Sequence, residues 1–502
     1  MIKVIDLLCG AGGSSTGLVE AGYELILGIN HWQLAIDTHA ANHRDADHAC
    51  IDISGLPMRH LPKADVLWAS VICTEISPAG GRRRESKQLD LLDELDSDET
   101  WEEWQALTKD AFERTRVTGW CVVRAAEAKR FKAIIVENVI EFATDWLLFP
   151  VWLDAMDKLG YRVQIVSVSS AHIGDDVNPR APQWRDRLYC VFTRRTMRQP
   201  DLAPRPLAHC PACGQDVPAV QSWFNDKTRI GKYRRDYDYR CPQTRCGRIV
   251  VEPYVRPAAD IINWKDIGTR IGDRKKPLVP TTMDRIRSGL AKFPHRPSSI
   301  TLTHGKDGTD RAYAVEDRPL PTRTAKQGDA LLVPTGGSWN TEPTPVDVPM
   351  RTRLTRESEA LVTADPFIVE FRRNSTTSPV TNPMSGITAK GNHHGLVVPD
   401  GTPSQETVRN TLVIPYRKTT PKTAADPVHA LSTRDSAAVL RSTPAIEDCY
   451  FRMLKPREQL LGQRFPEKYV VYGNQAEQTM QAGNAVSCNV ARWIGERLKP
   501  VL

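Results

Sequence analysis

Residues 65–80 read DVLWASVICTEISPAG, and their one cysteine, Cys73, follows an apolar run and precedes a polar turn. A thiol placed there is either a small core residue or a nucleophile, and only the thiolate is strongly reactive. Glu137 and Asn138 close a second apolar run, AIIVEN. A carboxylate at such a strand end is poorly solvated and can hold a proton near neutral pH, or it can simply cap the next helix. Gln183, Arg185 and Arg187 alternate ahead of LYCVF, so both arginines point to one side, into a site or into plain salt bridges. In DLLCGAGGSSTGL, residues 6–18, a strand runs through Gly10, Gly12 and Gly13 into a helix start. Glycines there let the backbone approach a ligand, and the free N–H groups suit a carboxylate or phosphate. Alone, that turn is a weak signal.

A separate group of four thiols lies in HCPACG (Cys210, Cys213) and RCPQTRCG (Cys241, Cys246). Two close pairs, each followed by glycine, fit a closed structural zinc site better than unliganded thiols. Such a site is expected to stabilise the irregular domain that follows it or to touch nucleic acid, with no part in catalysis. The chain has 11 cysteines, an odd number mostly isolated in apolar runs, which fits reduced thiols rather than a disulfide framework.

Side chains this far apart in sequence need a scaffold that gathers them. Short β-like runs (KVIDLL, ELILGIN, DVLWAS, AIIVENV, YRVQIVSVS, RLYCVFT) alternate with helical stretches over the first two hundred residues. That alternation predicts an α/β domain, a parallel sheet with helices on both faces, whose chemistry gathers at the carboxyl ends of the strands. The composition then divides the remainder. Residues 1–203 form the α/β domain, 204–253 the cysteine-rich insertion and 254–295 a helical connector. Residues 296–448 are rich in Pro, Thr, Gly and Arg and predict a β-rich or irregular domain, while 449–502 turn helical again. Within 296–448 a weak repeat sets a base seven residues after a proline, at Lys326, Arg356, Lys390 and Arg434. These are basic turns that face nucleic acid, or merely solvated hairpins. Net charge is +7, which permits nucleic-acid binding without requiring it, and no apolar run reaches membrane-spanning length. A soluble intracellular protein is expected.

Taken in order, the glycine loop, the strand-end cysteine, Glu-Asn-Val, Gln-x-Arg-x-Arg and a C-terminal GNAV (residues 483–486) resemble the DNA cytosine carbon-5 methyltransferases. The resemblance covers the first two hundred residues and the last fifty. It implies a Rossmann-like sheet that binds S-adenosylmethionine, double-stranded DNA as partner, and a target-recognition domain at 296–448. By resemblance, Cys73 attacks carbon 6 of a flipped-out cytosine, Glu137 serves the proton at N3, Arg187 holds O2 and Arg185 supports the site. The cofactor residues carried over are Asp6, Leu8, Cys9, Gly10, Gly12 and Gly13 around the methionine moiety, with Asp52 and Ile53 at the adenine amine and Asn484 beside the cofactor.

Two departures stand out, and a basic run follows the nucleophile. The family's Pro-Pro-Cys-Gln is here Val71-Ile72-Cys73-Thr74, which looks like a phage and actinobacterial branch with a Cys-Thr motif. The family's ribose-binding acid is here Asn30, followed by His31 and Trp32, either of which can stack on adenine or belong to the core. Arg82, Arg83 and Arg84 lie where the family has its mobile catalytic loop, to meet phosphates or as a solvated linker. The expected enzyme is a DNA (cytosine-5-)-methyltransferase, monomeric, in the cytoplasm of a bacterium or a phage-infected cell. The alternatives are the same base-flipping chemistry on RNA, a modified methionine cofactor, or a catalytically silent DNA-binding protein.

Overall fold

A computed structural model describes residues 1–72, 112–280 and 446–502 apart from a few single positions, together with isolated short stretches between 282 and 440. Seven strands form one sheet: β1 (Ile2–Leu7), β2 (Tyr23–Asn30), β3 (Asp47–Cys50), β4 (Val66–Ser70), β5 (Ala133–Asn138), β6 (Tyr161–Ser169) and β7 (Asp186–Arg194). Their order is β3-β2-β1-β4-β5-β7-β6. Helices α1 (Gly13–Glu20), α2 (Gln33–Asn42), α3 (Phe112–Lys129), α4 (Glu141–Thr144) and α5 (Phe149–Lys158) make the connections.

The first five strands run parallel, as the alternation predicts. The last strand does not: β7 is antiparallel to both β5 and β6. Residues 170–185 hold no helix to carry the chain across the sheet, so it folds back and β7 slots between β6 and β5. That reversal puts the beginning of β7, rather than its end, on the edge where β1 to β5 finish.

Consecutive residues of β4 (Val66, Leu67, Trp68, Ala69) are fully buried, the signature of a central strand covered on both faces. One face packs Leu67, Ala69, Ile134 and Val136 against α3 and Trp152 of α5. The other packs Trp68, Ile135 and Tyr189 against Leu18 of α1 and Val490 and Ile494 of a C-terminal helix. That helix, α8 (Cys488–Leu498), follows α6 (Pro456–Gly462) and α7 (Gln475–Asn484). It lies so close to α1 that a side chain at Gly17 would strike the Cys488 carbonyl, which is why glycine stands there. Tyr23 Oη donates to Gly495 O at 2.9 Å, a further tie across more than four hundred residues.

The cysteine-rich insertion is two hairpins, β8 (Leu207–Cys210) with β9 (Gln215–Pro218) and β10 (Val220–Trp223) with β11 (Tyr237–Arg240), around a small core of its own. Beyond it, where a helical connector is expected, residues 254–280 hold two single turns of 3-10 helix (Ala258–Ile261 and Ile271–Asp273) and a two-residue strand, and the stretches described between 296 and 440 are strands. Thr269–Arg270, Cys449–Met453, His394–Pro399, Phe367–Glu370, Ser298–Ile300 and Ala312–Ala314 form a second sheet in that order. The β-rich character expected there is present in these stretches. Among the described residues no helix is long and apolar enough to cross a membrane.

Candidate active site and cysteine cluster

Register assigns each candidate segment its place. Leu7 of β1 pairs with Ile29 of β2 and Ala69 of β4, Asn30 with Cys50, and Ser70 with Glu137. The segments following β3, β2, β1, β4 and β5 therefore leave the sheet along one edge. At about 4.8 Å per strand, the row from β3 to β5 spans ~19 Å. It reads Asp52, Asn30, the glycine loop, the approach to Cys73, and Glu137, with Arg187 arriving at the same edge on the reversed β7. Neighbouring strands leave in opposite directions at β1 and β4, where α/β sheets open a crevice.

Glu137 is 7% exposed and its Oε1 lies 3.2 Å from Arg187 Nε. Burial raises its carboxyl above the ordinary range, against the lowering pull of Arg187 and Arg185. Asn138 is buried, and its Nδ2 donates to Val71 O at 3.3 Å. Ile72 N donates to Thr118 Oγ1 at 3.3 Å. The two residues before Cys73 are thus tied to β5 and to α3, although Cys73 itself lies outside the described residues. Arg185 grips the C-terminal segment, donating from Nη1 to Gly483 O at 3.3 Å and from Nη2 to Ala485 O at 2.7 Å. The period-two arginines therefore split their duties, one on the carboxylate and one on the GNAV backbone.

On the other side of the crevice, Asp6 is fully buried, and its Oδ2 accepts from Ser14 Oγ and Ser15 Oγ, each at 2.6 Å. Burial pushes its carboxyl up to about 7, although both hydroxyls oppose the shift. Its first task is to pin the start of α1; its Oδ1 is buried without a partner. Leu8 holds φ 60°, Gly10 53° and Gly12 90°, so the loop coils through the left-handed region, at some cost for the leucine. Cys9 N donates to Ile29 O at 3.0 Å, and burial raises the Cys9 thiol well above its usual range, which makes it inert. A side chain at Gly13 would strike the Val486 carbonyl, whereas one at Gly10 would meet nothing within 4 Å. The GNAV segment thus closes one side of the loop and leaves the other open.

Asn30 is 7% exposed and its Oδ1 accepts from Trp32 N at 3.0 Å. His31 is exposed and Trp32 half-buried, so neither is core. Asp52 is exposed and accepts from Ser54 N and Oγ, while Ile53 is packed into the core. Asn484 is exposed at the end of α7. The basic candidates Arg82, Arg83, Arg84, Lys326, Arg356, Lys390 and Arg434 all lie outside the described residues.

The four thiols of the insertion converge, with every Sγ within 4.8 Å of the others. Cys210 and Cys246 are 3.8 Å apart and Cys213 and Cys241 3.9 Å, far too long for disulfides. A tetrahedron with metal–sulfur bonds of about 2.3 Å has edges of about 3.8 Å. Gly214 and Gly247, at φ 64° and 68°, turn the chain after each pair.

Several residues at this edge escape a reading of the sequence. Glu141, buried just after the Glu-Asn-Val segment, pairs with Lys232 of the insertion at 2.6 Å. Tyr469 sends its hydroxyl to Ala11 O at 2.5 Å and backs the glycine loop from the C-terminal segment. Both partnerships join distant parts of the chain, and no local spacing announces them.

A family model described as C-5 cytosine-specific DNA methylase matches residues 2–94, 105–252 and 368–500. The chain is 34% identical over 86 residues to the type II methyltransferase M.HgiDI of Herpetosiphon aurantiacus, 16% of this chain and 27% of that protein. It is 26% identical over 200 residues to M1.ScrFI of Lactococcus lactis subsp. cremoris (39% and 42%) and 25% over 250 residues to M.NlaX of Neisseria lactamica (48% and 68%), both type II methyltransferases. The matched stretch thus spans less than half the length of the first two relatives. The family model, by contrast, covers most of the sequence: the chain belongs to the C-5 cytosine-specific DNA methylases.

Proposed function

We propose that the protein transfers a methyl group to carbon 5 of a cytosine flipped out of double-stranded DNA, through a covalent adduct with Cys73. The observation that carries the reading is the common edge: glycine loop, approach to Cys73, and the buried Glu137–Arg187 pair on adjacent strands. The family implies S-adenosylmethionine, and the β1–β2–β3 end of the edge fits it. Gly10 faces open space, Asp6 Oδ1 lacks a partner, and the start of α1 offers N–H groups. Loop residues 6–13 would hold its methionine end, and Asn30, His31, Asp52 and Ile53 its nucleoside. When bound, it supplies an electrophilic methyl group.

Cytosine carbon 5 is a poor nucleophile, so the ring must first be activated. The Cys73 thiolate bonds to carbon 6, the displaced ring electrons move to N3, and Glu137 delivers a proton there, giving an enamine. Arg187, fixed on Glu137, is the donor suited to the ring O2. Carbon 5 would then take the methyl group as its bond to the sulfonium sulfur breaks. Loss of the carbon 5 proton to a base, departure of the thiolate and return of the N3 proton to Glu137 restore the aromatic ring. Extruding the base is what gives a buried carboxylate access to N3. The arginines at 82–84 and the basic turns at 326, 356, 390 and 434 serve phosphate contacts, with 296–448 as the recognition domain. The alternatives, an RNA target, a modified cofactor at the uncharged Asn30 or a silent binder, each predict no labelled 5-methyldeoxycytidine.

The test is direct. Protein incubated with duplex DNA and labelled S-adenosylmethionine is expected to yield labelled 5-methyldeoxycytidine by nucleoside mass spectrometry. Label in another nucleoside, or none, refutes the reading.

The cysteine cluster is read as a structural zinc site, supported by the convergence of its four thiols and by two Sγ–Sγ distances of 3.8 and 3.9 Å, close to a tetrahedral edge. Native mass spectrometry is expected to find about one zinc per chain, closed by four sulfurs. Cys241→Ser should lose it and melt the insertion at a lower temperature. Full titration of all four thiols in freshly purified, zinc-free protein would count against the site.

A further inference from the structure

The insertion is fastened to the sheet beside the candidate active site. Lys232 Nζ lies 2.6 Å from Glu141 Oε1, the carboxylate four residues after Glu137. The next residue, Tyr233, donates its backbone N–H to Asp186 Oδ1 at 3.3 Å, and Asp186 stands between Arg185 and Arg187. One loop of the insertion therefore holds both strand ends that carry the Glu137–Arg187 pair. Two more bonds secure the same dock: Gln221 Nε2 to Ser167 O at 2.9 Å, and Gly231 N to Ser167 Oγ at 3.3 Å.

A buried imidazole marks the seam. His172, from the β6–β7 connection, is 1% exposed, and neither ring nitrogen has a hydrogen-bond partner. It is boxed by the rings of Trp184, Tyr233 and Tyr239, with centroids 4.8, 4.4 and 5.1 Å away. Trp184 directly precedes Arg185 and stacks on Tyr233 at 5.8 Å. From this seam β11 runs straight into Cys241, so the cysteine cluster anchors the strand that carries Tyr237 and Tyr239.

We propose that the cysteine-rich insertion is a clamp on the active site, in which Lys232 and the Tyr233 backbone position Glu137 and Arg187. This rests on the methyltransferase reading for its catalytic consequence and revises the expectation that the insertion plays no part in catalysis. Lys232 and Tyr233 act through Glu141 and Asp186 rather than on base or cofactor; they are positioning residues. Removing the lysine leaves the Glu141 carboxylate buried without its partner, and the end of β5 must shift to relieve it. A misplaced acid slows chemistry more than binding, because it is felt chiefly in the transition state.

The test compares full-length Lys232→Met, Glu141→Gln, the double variant and Lys232→Arg with the wild type. Lys232→Met is expected to lower kcat about tenfold while KM for DNA and for S-adenosylmethionine stays within about twofold. The double variant should be no worse than the worse single, and Lys232→Arg should recover most of the rate. Amide hydrogen exchange should quicken in peptides covering 137–142 and 185–188 in Lys232→Met, and again in wild type stripped of metal by a chelator. A merely structural role would lower the melting temperature and leave kcat of the folded protein unchanged. Unchanged exchange at both segments in Lys232→Met overturns the proposal, and so does an unchanged kcat. If the wild type transfers no methyl group, the enzymatic reading fails by itself, and the exchange experiment still decides whether the clamp holds these strand ends.

Discussion

Cys73→Ala abolishes the formation of 5-methyldeoxycytidine, a fall expected on the order of 10⁴-fold or more, while duplex binding persists. Losses of that size are typical when a covalent nucleophile is removed. Carbon 5 of cytosine gains nucleophilic character only after a soft nucleophile adds at carbon 6. A hydroxyl at ordinary pKa is no substitute, so Cys73→Ser should fail nearly as completely. The chain entering Cys73 is held on both sides, by Asn138 at the Val71 carbonyl and by Thr118 at the Ile72 amide. Its thiol therefore starts from the strand paired in register with Glu137. A duplex carrying 5-fluorocytosine gives a second readout. Fluorine at carbon 5 blocks the final elimination, so wild type should show a denaturation-resistant adduct by intact mass and Cys73→Ala should show none. Methyl transfer by Cys73→Ala at anything near the wild-type rate would remove the cysteine from the mechanism.

The motifs behind this prediction were legible because the chemistry demands particular residue types at strand ends, and strand ends can be read from apolar runs. Six of the seven strands announce themselves as such runs. Strand β3 does not, because DHAC is a short, partly exposed edge strand with little apolar alternation. The antiparallel course of β7 was also hidden: LYCVF is equally apolar in either direction, and only the missing helix in residues 170–185 hints at the reversal. Within the site, spacing sends Arg185 and Arg187 to one side but cannot divide their partners, the GNAV backbone and Glu137. Asp6 reads as a ligand-facing acid, yet its carboxylate mainly fastens Ser14 and Ser15. The Lys232–Glu141 pair joins residues 91 apart and depends on how the insertion docks, which no local pattern encodes.

The largest remaining effect is expected at Glu137. In Glu137→Gln the amide keeps nearly the size and polarity of the carboxyl but has no proton to give to N3, so kcat should drop by ~10²–10⁴-fold. Asp at this position would fall short of the ring and recover little. The pH dependence separates this role from simple binding. Burial raises the Glu137 carboxyl, so its acid form survives to higher pH than that of an exposed glutamate. Transfer needs this acid protonated and the Cys73 thiol ionised, which gives a bell-shaped profile: the thiol sets the rising acid limb and Glu137 the falling alkaline limb. Glu137→Gln should keep the acid limb and lose the alkaline one. Stability carries the same signature with a definite sign. The native state holds this proton more tightly than the unfolded chain, so its contribution to stability declines as pH climbs from the ordinary carboxylate range through the raised native value. Glutamine has no such proton, and the variant's denaturation midpoint should lose that slope. Arg187→Leu removes the cation 3.2 Å from Glu137, whose charge favours the ionised carboxylate, so it should raise the Glu137 pKa further and shift the alkaline limb upward, at a reduced rate. An unaltered alkaline limb in Glu137→Gln would assign that titration to another group and leave Glu137 a fixed partner for Arg187 rather than the acid at N3.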